Sequence, residues 1–487
     1  MSLNVAANNA NTGLAATSKQ AQVTANNIAN VNTEGYDRRE ARLESVAIDG
    51  KGGGVRVASV DRAQSLAVTA DRRRSDAEVG EQAAISAGVD RISQALGGPD
   101  DPTSLFAKYD ALETALRSMA DQPESTLARN SVLVASTDLA DAFNTVNSDI
   151  QRLRQDVDDE IARQVAYVNE MLVEIDELNE QVSKTFSIGQ NPTEYEAQRD
   201  ALIDKISSIV PLQSLPQNDG QVFLATTTGA MLLTSNAAEF EFTAAGVITA
   251  DMDYRGGAPG SLSGLTLNGG DITPDDTGVQ SVVSGSLRGL FEVRDVLSLE
   301  FQDQIDALAE ELITRFDAAE PAGSIPVGEA GLFTDNQVAS TGAAGLAGRL
   351  QVNDLVIPPG GSLDQLAQGV HVVGTPVAGD NDYEINLLEA LTNQTTAPAA
   401  LGVTGVLSAS DMVAEFGSII FGEAQFERER LSVRSAQNTT LVETEAEATG
   451  VDLDYELQNL TLIQTAYAAN ARVLQVVDEM LRTLLEI

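Results

Sequence analysis

Apolar residues along this chain recur mostly at steps of three and four, the spacing that draws one stripe down an α-helix. Between 139 and 186, Leu139, Phe143, Val146, Ile150, Leu153, Val157, Ile161, Val165, Val168, Leu172, Ile175, Val182 and Phe186 hold one face, predicting a helix of roughly 70 Å. Gly189, Asn191 and Pro192 stop it, and Tyr195, Leu202, Ile206 and Ile209 carry a second helix back over 193–210, so the pair reads as an antiparallel hairpin. Over 453–487 a mostly apolar stripe runs through Leu453, Leu457, Leu460, Gln464, Tyr467, Ala471, Leu474, Asp478, Leu481 and Leu485. At the other terminus Leu3, Ala7, Ala10, Leu14, Thr17, Ala21, Thr24, Ile28 and Val31 repeat the spacing with small side chains that let another backbone come close. One face is bulky and the other narrow, which predicts that the two ends meet as a long rod and that everything between them is an insertion.

The intervening pattern is more broken. Residues 40–80 alternate apolar and polar around GKGGGVRVASV at 50–60, predicting an extended segment or hairpin with the glycines as its turn; no Walker-type Lys-Ser/Thr follows them. Helical spacing marks 76–97 and 104–119, separated by GGPDDP at 97–102, where Asp100 and Asp101 are expected caps. From 211 to about 284 the chain turns rich in Gly, Thr and Val, with short alternating runs at 221–234 and 240–250 that predict a small β domain. Helix resumes at 284–297 and continues through Ile305, Leu308, Leu312 and Phe316. Residues 320–408 show no sustained helical period and read as an extended arm. A helix over 411–449 opens with Met412, Phe416, Ile419 and Phe426, and Gly450 marks the joint before the terminal stripe. The predicted fold is therefore mainly α with a β insertion. It consists of a terminal α-helical coiled coil (1–35 with 451–487), an elongated helical-bundle domain in two parts (36–210 and 284–450, the arm at about 320–408 included), and a β-rich domain inserted at 211–283.

Taken singly, the asparagines of ANNIANVNTEGYDRR (25–39) are only helix-end and turn formers. As a set, with Asn32, Thr33, Gly35 and Tyr36 forming an Asn-Thr-x-Gly-aromatic turn, they resemble the motif of the bacterial flagellar axial proteins of rod, hook and hook-associated type. The resemblance recurs at Gln198, Arg199 and Asp200, at Gly285, Ser286, Leu287, Gly289 and Leu290, and through 450–487, including Asn459, Leu460, Gln464, Ala466, Tyr467, Asn470, Ala471, Arg472, Val473, Asp478, Leu481 and Leu485. Hook and rod subunits lack the long helical hairpin before their β insertions and flagellin lacks the turn, whereas the members at the hook to filament junction have both. The resemblance implies a structural subunit joining hook to filament, which assembles through its terminal helices and provides the surface on which the filament grows. Implied partners are copies of itself in a ring or helical homo-oligomer, the hook protein, a neighbouring junction protein leading to flagellin, and a type III export chaperone on the C-terminal helix. The implied location is the extracellular flagellum, reached through the type III export channel without a cleaved signal peptide. It leaves open a further β domain at 320–408, and it makes Arg199 and Asp200 an expected structural ion pair. The expected assembly residues are Leu3, Leu14, Ile28, Val31, Leu453, Leu457, Leu460, Tyr467, Leu474, Leu481 and Leu485, with the turn at Asn32, Thr33, Gly35 and Tyr36.

Composition narrows the alternatives. A formal charge of -42, from 72 acidic against 30 basic residues, opposes binding to nucleic acid or anionic membrane. The chain has no Cys, hence no disulfide or thiolate site, and no Trp, so Ala, Leu and Val build the interior. No run of about eighteen apolar residues predicts a membrane span, and the polar N-terminus does not read as a secretory signal. His371 is the single histidine and is expected to be structural or solvent-facing. Asp380, Asn381, Asp382 and Glu384 alternate like a calcium loop, but Ile385 stands where the sharp turn needs Gly, so a solvated turn is expected. Asp156, Asp158, Asp159 and Glu160 are expected on the wet face of their helix. No catalytic, cofactor or metal constellation is expected. The competing readings are a hook or rod type axial protein, an unrelated secreted coiled-coil adhesin, and an enzyme hidden in the β-rich middle. An adhesin needs no narrow N-terminal helix paired to a Leu-rich one, and an enzyme should show convergent polar groups.

Overall fold

The structure, a computed structural model, describes residues 3–33, 35–48, 51–98, 100–254, 262–274 and 280–485. Helix α1 (Leu3–Ala29) leads into an antiparallel hairpin of β1 (Arg39–Ile48) and β2 (Lys51–Arg62), paired from Arg39 opposite Arg62 to Ile48 opposite Lys51. The glycines expected at its turn, Gly52, Gly53 and Gly54, lie instead within β2, and residues 49–50 between the strands lie outside the described residues. The reason is packing. Gly54 (φ +97°) lies so close to Thr12 and Asn9 of α1 that a Cβ would collide. The extended stretch also ends earlier than expected, because α2 (Leu66–Leu96) begins ten residues before the predicted start. Its opening turns carry Arg72, Arg73 and Asp76, whose burial comes from ion pairs rather than from an apolar period.

Helix α3 (Leu105–Asp121) is capped by Ser104, whose Oγ accepts from Ala107 N at 3.3 Å. Asp101 instead accepts from Thr103 N at 2.8 Å in the preceding turn, so the capping role expected of the aspartates falls to Ser104. Helix α4 (Thr126–Ser187) is the spine of the molecule, 62 residues long and therefore roughly 93 Å. It starts thirteen residues before the predicted stripe, at the N-cap Ser125. Helix α5 (Thr193–Ser207) folds back along it.

Two small antiparallel sheets follow, β3 (Leu212–Pro216), β4 (Val222–Thr226) and β5 (Met231–Leu233), then β6 (Phe240–Glu241), β7 (Thr266–Leu267) and β8 (Gly270–Asp271). Their Leu212, Leu224, Leu232 and Phe240, with Leu265 just before β7, join the same core as Val168, Leu172 and Ile175 of α4. Helix α6 (Ser286–Glu292) passes through a wider π turn (Val293–Leu297) into α7 (Ser298–Ala319). At that turn Arg294 and Asp158 form a fully buried ion pair at 2.5 Å, and Asp158 also accepts from Ala245 N at 2.6 Å. Of the four acidic residues expected on the wet face, Asp158 is thus a core group, while Asp156 and Asp159 are exposed.

The region read as an extended arm without helix contains β9 (Phe333–Asp335), β10 (Leu350–Val352), the short helix α8 (Asp382–Thr392), β11 (Thr395–Thr396) and β12 (Val406–Leu407). Its Leu332, Phe333, Leu350, Val370, Leu387 and Leu391 are buried, and Arg315 of α7 donates to the carbonyls of Ala390, Asn393 and Leu407 at 2.7 to 3.1 Å. Three turns of α8 are too short for a periodic signal, and tertiary hydrogen bonds do the ordering. Glu384 of the supposed solvated turn is buried in α8. The His371 side chain is buried, with Nε2 at 2.8 Å from Ala330 O and Nδ1 at 3.2 Å from Glu329. Helix α9 (Ala409–Thr449) runs antiparallel to α2 over most of its length and packs at its start against α3, α7 and α8, burying Met412, Phe416, Ile420 and Ala424 while the expected Ile419 and Phe426 are exposed, and Gly450 ends it before α10 (Leu453–Leu485). No helix among the described residues is long and apolar enough to cross a membrane.

Candidate functional site

Helices α1 and α10 lie side by side and antiparallel. Asn27 Nδ2 donates to Glu456 Oε1 at 2.8 Å, Asn459 Nδ2 reaches Thr24 Oγ1 at 3.4 Å, and Asn470 fills the space beside Gly13. A Cβ on Gly13 would sit 2.7 Å from Asn470 Nδ2, so the glycine is needed there for close approach. The other side of α1 is covered by the hairpin, through Asn8 Nδ2 to Gly53 O (3.2 Å) and Val55 N to Thr12 Oγ1 (3.3 Å). A helix held between two layers needs small side chains, and α1 buries Ala10, Gly13, Ala16, Thr17, Val23, Thr24 and Asn27.

On α10 the buried positions among the described residues are Glu456, Ile463 and Val477, which with half-buried Asn470 recur every seven residues. This corrects the expected geometry. The stripe read from the leucines is rotated by roughly 80° from the line that meets α1, at about 100° per residue. Leu460 and Leu474 lie half-buried at its edge, while Leu453, Leu457, Tyr467 and Leu481 are exposed by 38 to 52 % and Leu485 by 87 %. Leu3, Leu14 and Ile28 on α1, and Val31 in the turn after it, are half-buried. The cause is that α1 offers polar groups and a notch, which seat Glu456 and Asn470 better than leucine. Because Tyr455, Leu462, Val473, Val476, Met480 and Leu484 are exposed as well, apolar surface surrounds most of α10.

The turn residues lie at the base of this pair. Thr33 N donates to Asn30 O (2.9 Å), Tyr36 N donates to Thr33 O (3.2 Å), and Gly35 takes the left-handed conformation at φ +75°. Asn32 and Thr33 are exposed. The Tyr36 ring lies under the Arg39 guanidinium and its hydroxyl donates to Asn27 Oδ1 at 3.0 Å. Burial raises the Tyr36 pKa, Arg39 opposing and Glu194 and Glu456 adding to the rise. Asn27 is the hub, since its Oδ1 also accepts from Arg39 N and its Nδ2 also donates to Arg39 O. Neither Asn27 nor Glu456 was among the expected site residues. The available signal was a polar residue set in line with the apolar heptads of α10.

Where the rod meets the body, three chain segments are laced together: Arg38 N donates to Thr449 O at 2.8 Å, and Ala63 N to Arg38 O at 2.7 Å. The buried Arg62 pairs with Asp200, Asp37 (3.1 Å) and Glu196 (3.6 Å), and Arg72 with Asp204 (2.6 Å), Asp76 (2.7 Å) and Glu445. Burial alone would lower the Arg62 pKa, and the surrounding carboxylates, Asp200 first, more than reverse it. Burial raises the Asp37 pKa against the pull of Arg62 and Thr449. The expected pairing of Arg199 with Asp200 is therefore secondary, at 3.6 Å: Asp200 turns to Arg62, and Arg199 donates to Asn179 Oδ1 and Gly220 O. What this arrangement offers is association: apolar area outside, hydrogen-bonded registration inside, and an ionic neck joining both to the body.

Comparison with known proteins gives the site its context. Residues 89–332 match the family model of the flagellar hook-associated protein FlgK helical domain. Residues 3–36 match that of the flagella basal body rod protein, and 445–487 that of the flagellar basal body rod FlgEFG protein C-terminal. The chain is 24% identical to flagellar hook-associated protein 1 of Bacillus subtilis (strain 168), over 94% of this chain and 93% of that protein. To the same-named protein of Salmonella typhimurium it is 26% identical, over 47% of this chain and 43% of the relative. Among solved structures, the flagellar hook junction protein FlgK from Burkholderia pseudomallei aligns with a TM-score of 0.43 at 20% identity, covering 54% of this chain and 46% of that one. The chain belongs to the FlgK family of flagellar hook-associated proteins, and it is a structural component of the hook to filament junction of the bacterial flagellum.

Proposed function

We propose that the α1/α10 pair is the seam through which subunits of this protein assemble, and that the body it carries provides the surface on which the filament grows. The observation behind this reading is the outer surface of α10, where Leu453, Leu457, Tyr467, Leu481 and Leu485 stand exposed along a helix of 33 residues. Each such side chain removed from water contributes roughly 1.5 to 3 kcal/mol, so packing against neighbours in a multi-subunit wall is strongly favoured. The partners on this reading are copies of the chain in a ring or helical homo-oligomer, the hook protein on one side and a neighbouring junction protein leading to flagellin on the other. During type III export a chaperone covers α10, and the terminal helices complete their folding on assembly. The role is architectural and uses no cofactor, metal or catalytic group.

Leu457 and Leu481, exposed and off the buried line of α10, are suited to a test. Leu457→Asp with Leu481→Asp should leave the far-UV helicity and the unfolding midpoint of the chain unchanged, because neither residue belongs to the core. Cells carrying the double variant should build hooks without filaments and shed flagellin into the medium. Normal filaments would show that this surface is not the seam.

A further inference from the structure

The polar contacts between α1 and α10 share one register. Asn27 with Glu456, Thr24 with Asn459 and Gly13 with Asn470 are paired so that the two residue numbers always add to 483, and Leu3 beside Met480 continues the series to the open end. Apolar packing cannot select this register, since most of the buried face of α1 is small and nearly repeats itself: Ala10, Gly13, Ala16, Thr17. Sliding by one heptad, roughly 10.5 Å, would bring Gly13 opposite Val477 in one direction and opposite Ile463 in the other, so the apolar residues of α10 would still find a small partner. The polar groups do not repeat. After such a slip Asn470 meets Gln20 or Ala6 instead of Gly13, the one glycine of α1, and Glu456 meets Gln20 or runs past the end of the helix. Asn27 resists most strongly, because both its amide hydrogens and both its oxygen lone pairs are engaged, with Glu456, the Arg39 backbone and Tyr36.

We infer that Asn27, Glu456, Gly13 and Asn470 are a register lock for the terminal rod. They fix how far α10 extends beside α1, and hence the height at which the apolar end formed by Leu3, Val476, Met480 and Leu484 is presented to a second copy. The consequence for assembly rests on the seam reading above, whereas the lock itself is a property of the single chain and can be read there.

The absence of native cysteine allows a direct test in the full-length chain. The pair Ala6→Cys with Val477→Cys reports the observed register, while Ala6→Cys with Leu484→Cys and Ala16→Cys with Leu460→Cys report slips of one heptad in either direction. In the otherwise native protein the first pair should oxidise rapidly and the other two slowly. Replacing the lock by apolar groups, Asn27→Leu, Glu456→Leu and Asn470→Ala together, should keep the helical signal. The slipped pairs should then gain on the native pair by more than about tenfold, the factor that one buried polar group left without its partner is worth. An unchanged preference for the native pair would assign register to packing and overturn the inference. Equal oxidation of all three pairs in the native background would do the same. So would loss of every crosslink with the helical signal of the ends, because the polar groups would then hold the helices together rather than choose their register. Failure of the Leu457 and Leu481 test would leave these crosslinking outcomes untouched, so the two ideas fall separately.

Discussion

Helices α4 and α10 carry the same three-and-four spacing, yet they end in opposite environments. In α4 the stripe is consumed by the chain itself: Leu139, Phe143, Ile161, Val168, Leu172 and Ile175 are buried under α3, α5, α6, α7 and the two small sheets. In α10 only Glu456, Ile463 and Val477 among the described residues reach comparable burial, while Leu453, Leu457, Leu462, Leu481, Leu484 and Leu485 face outward. The body is a self-sufficient core, while the rod, on the function proposed above, is half of an interface. An amphipathic period therefore states that a face will be covered but not by which molecule, and the difference governs where a substitution is felt.

The largest effect that would sharpen this contrast is expected in the body. Arg294→Met leaves the Asp158 carboxylate buried without its partner and should cost about 3 to 5 kcal/mol, lowering the denaturant midpoint of the main transition. Hydrogen exchange of α10 should not change. Truncation compares the two helices directly: Phe143→Ala should cost the body about 3 to 5 kcal/mol through the cavity it opens, whereas Ile463→Ala should leave the main transition in place and only accelerate exchange over 453–485. Equal shifts of the main midpoint would mean that rod and body unfold as one unit.

A smaller effect is expected at Glu384, which is fully buried with no side-chain donor at its oxygens. Burial raises its pKa, the nearby Arg129 opposing and Asp380 adding to the rise. A carboxyl whose folded pKa is raised stabilises most below its unfolded value, and that contribution is lost as pH rises through the folded value. Glu384→Gln should therefore stabilise the body at neutral pH, with the gain disappearing as pH falls below about 4.3, the ordinary glutamate value. A gain that persisted in acid would assign the effect to packing rather than to the charge. The smallest effect concerns ionic strength. Copies each carrying a charge of -42 repel, so polymerisation in vitro should accelerate as added salt shortens the Debye length from about 30 Å at 0.01 M to about 8 Å at 0.15 M, while unfolding of the body shifts little. Light scattering against denaturant midpoints at matched salt separates the two.

Much of the architecture was legible in the residues themselves. Chain stiffness and apolar period are local properties, so the long helix, its partner α5, the β-rich stretch after Pro211, the return to helix near Ser286 and the joint at Gly450 could all be read in order. What escaped reading was ordered by contacts distant in sequence. The start of α2 depends on Arg72 meeting Asp204 and Glu445, and the packed layer of 320–408 depends on Arg315 holding the carbonyls of Ala390 and Asn393. Asp158 looked like a wet-face acid because nothing local announces that Arg294 will reach it across 136 positions.

At the terminal rod the division is sharper still. The sequence by itself determined that both ends are long helices, one narrow and one bulky, and that a turn built on Gly35 and Tyr36 closes the first. Only the tertiary structure decided which face of α10 meets α1, because that choice is made by the Gly13 notch and by Asn27, whose hydrogen bonds join Arg39, Tyr36 and Glu456, and not by apolar periodicity. Apolar attraction grows with area and is nearly indifferent to rotation about a helix, whereas a buried hydrogen bond is satisfied at one rotation and one register and costly at the others.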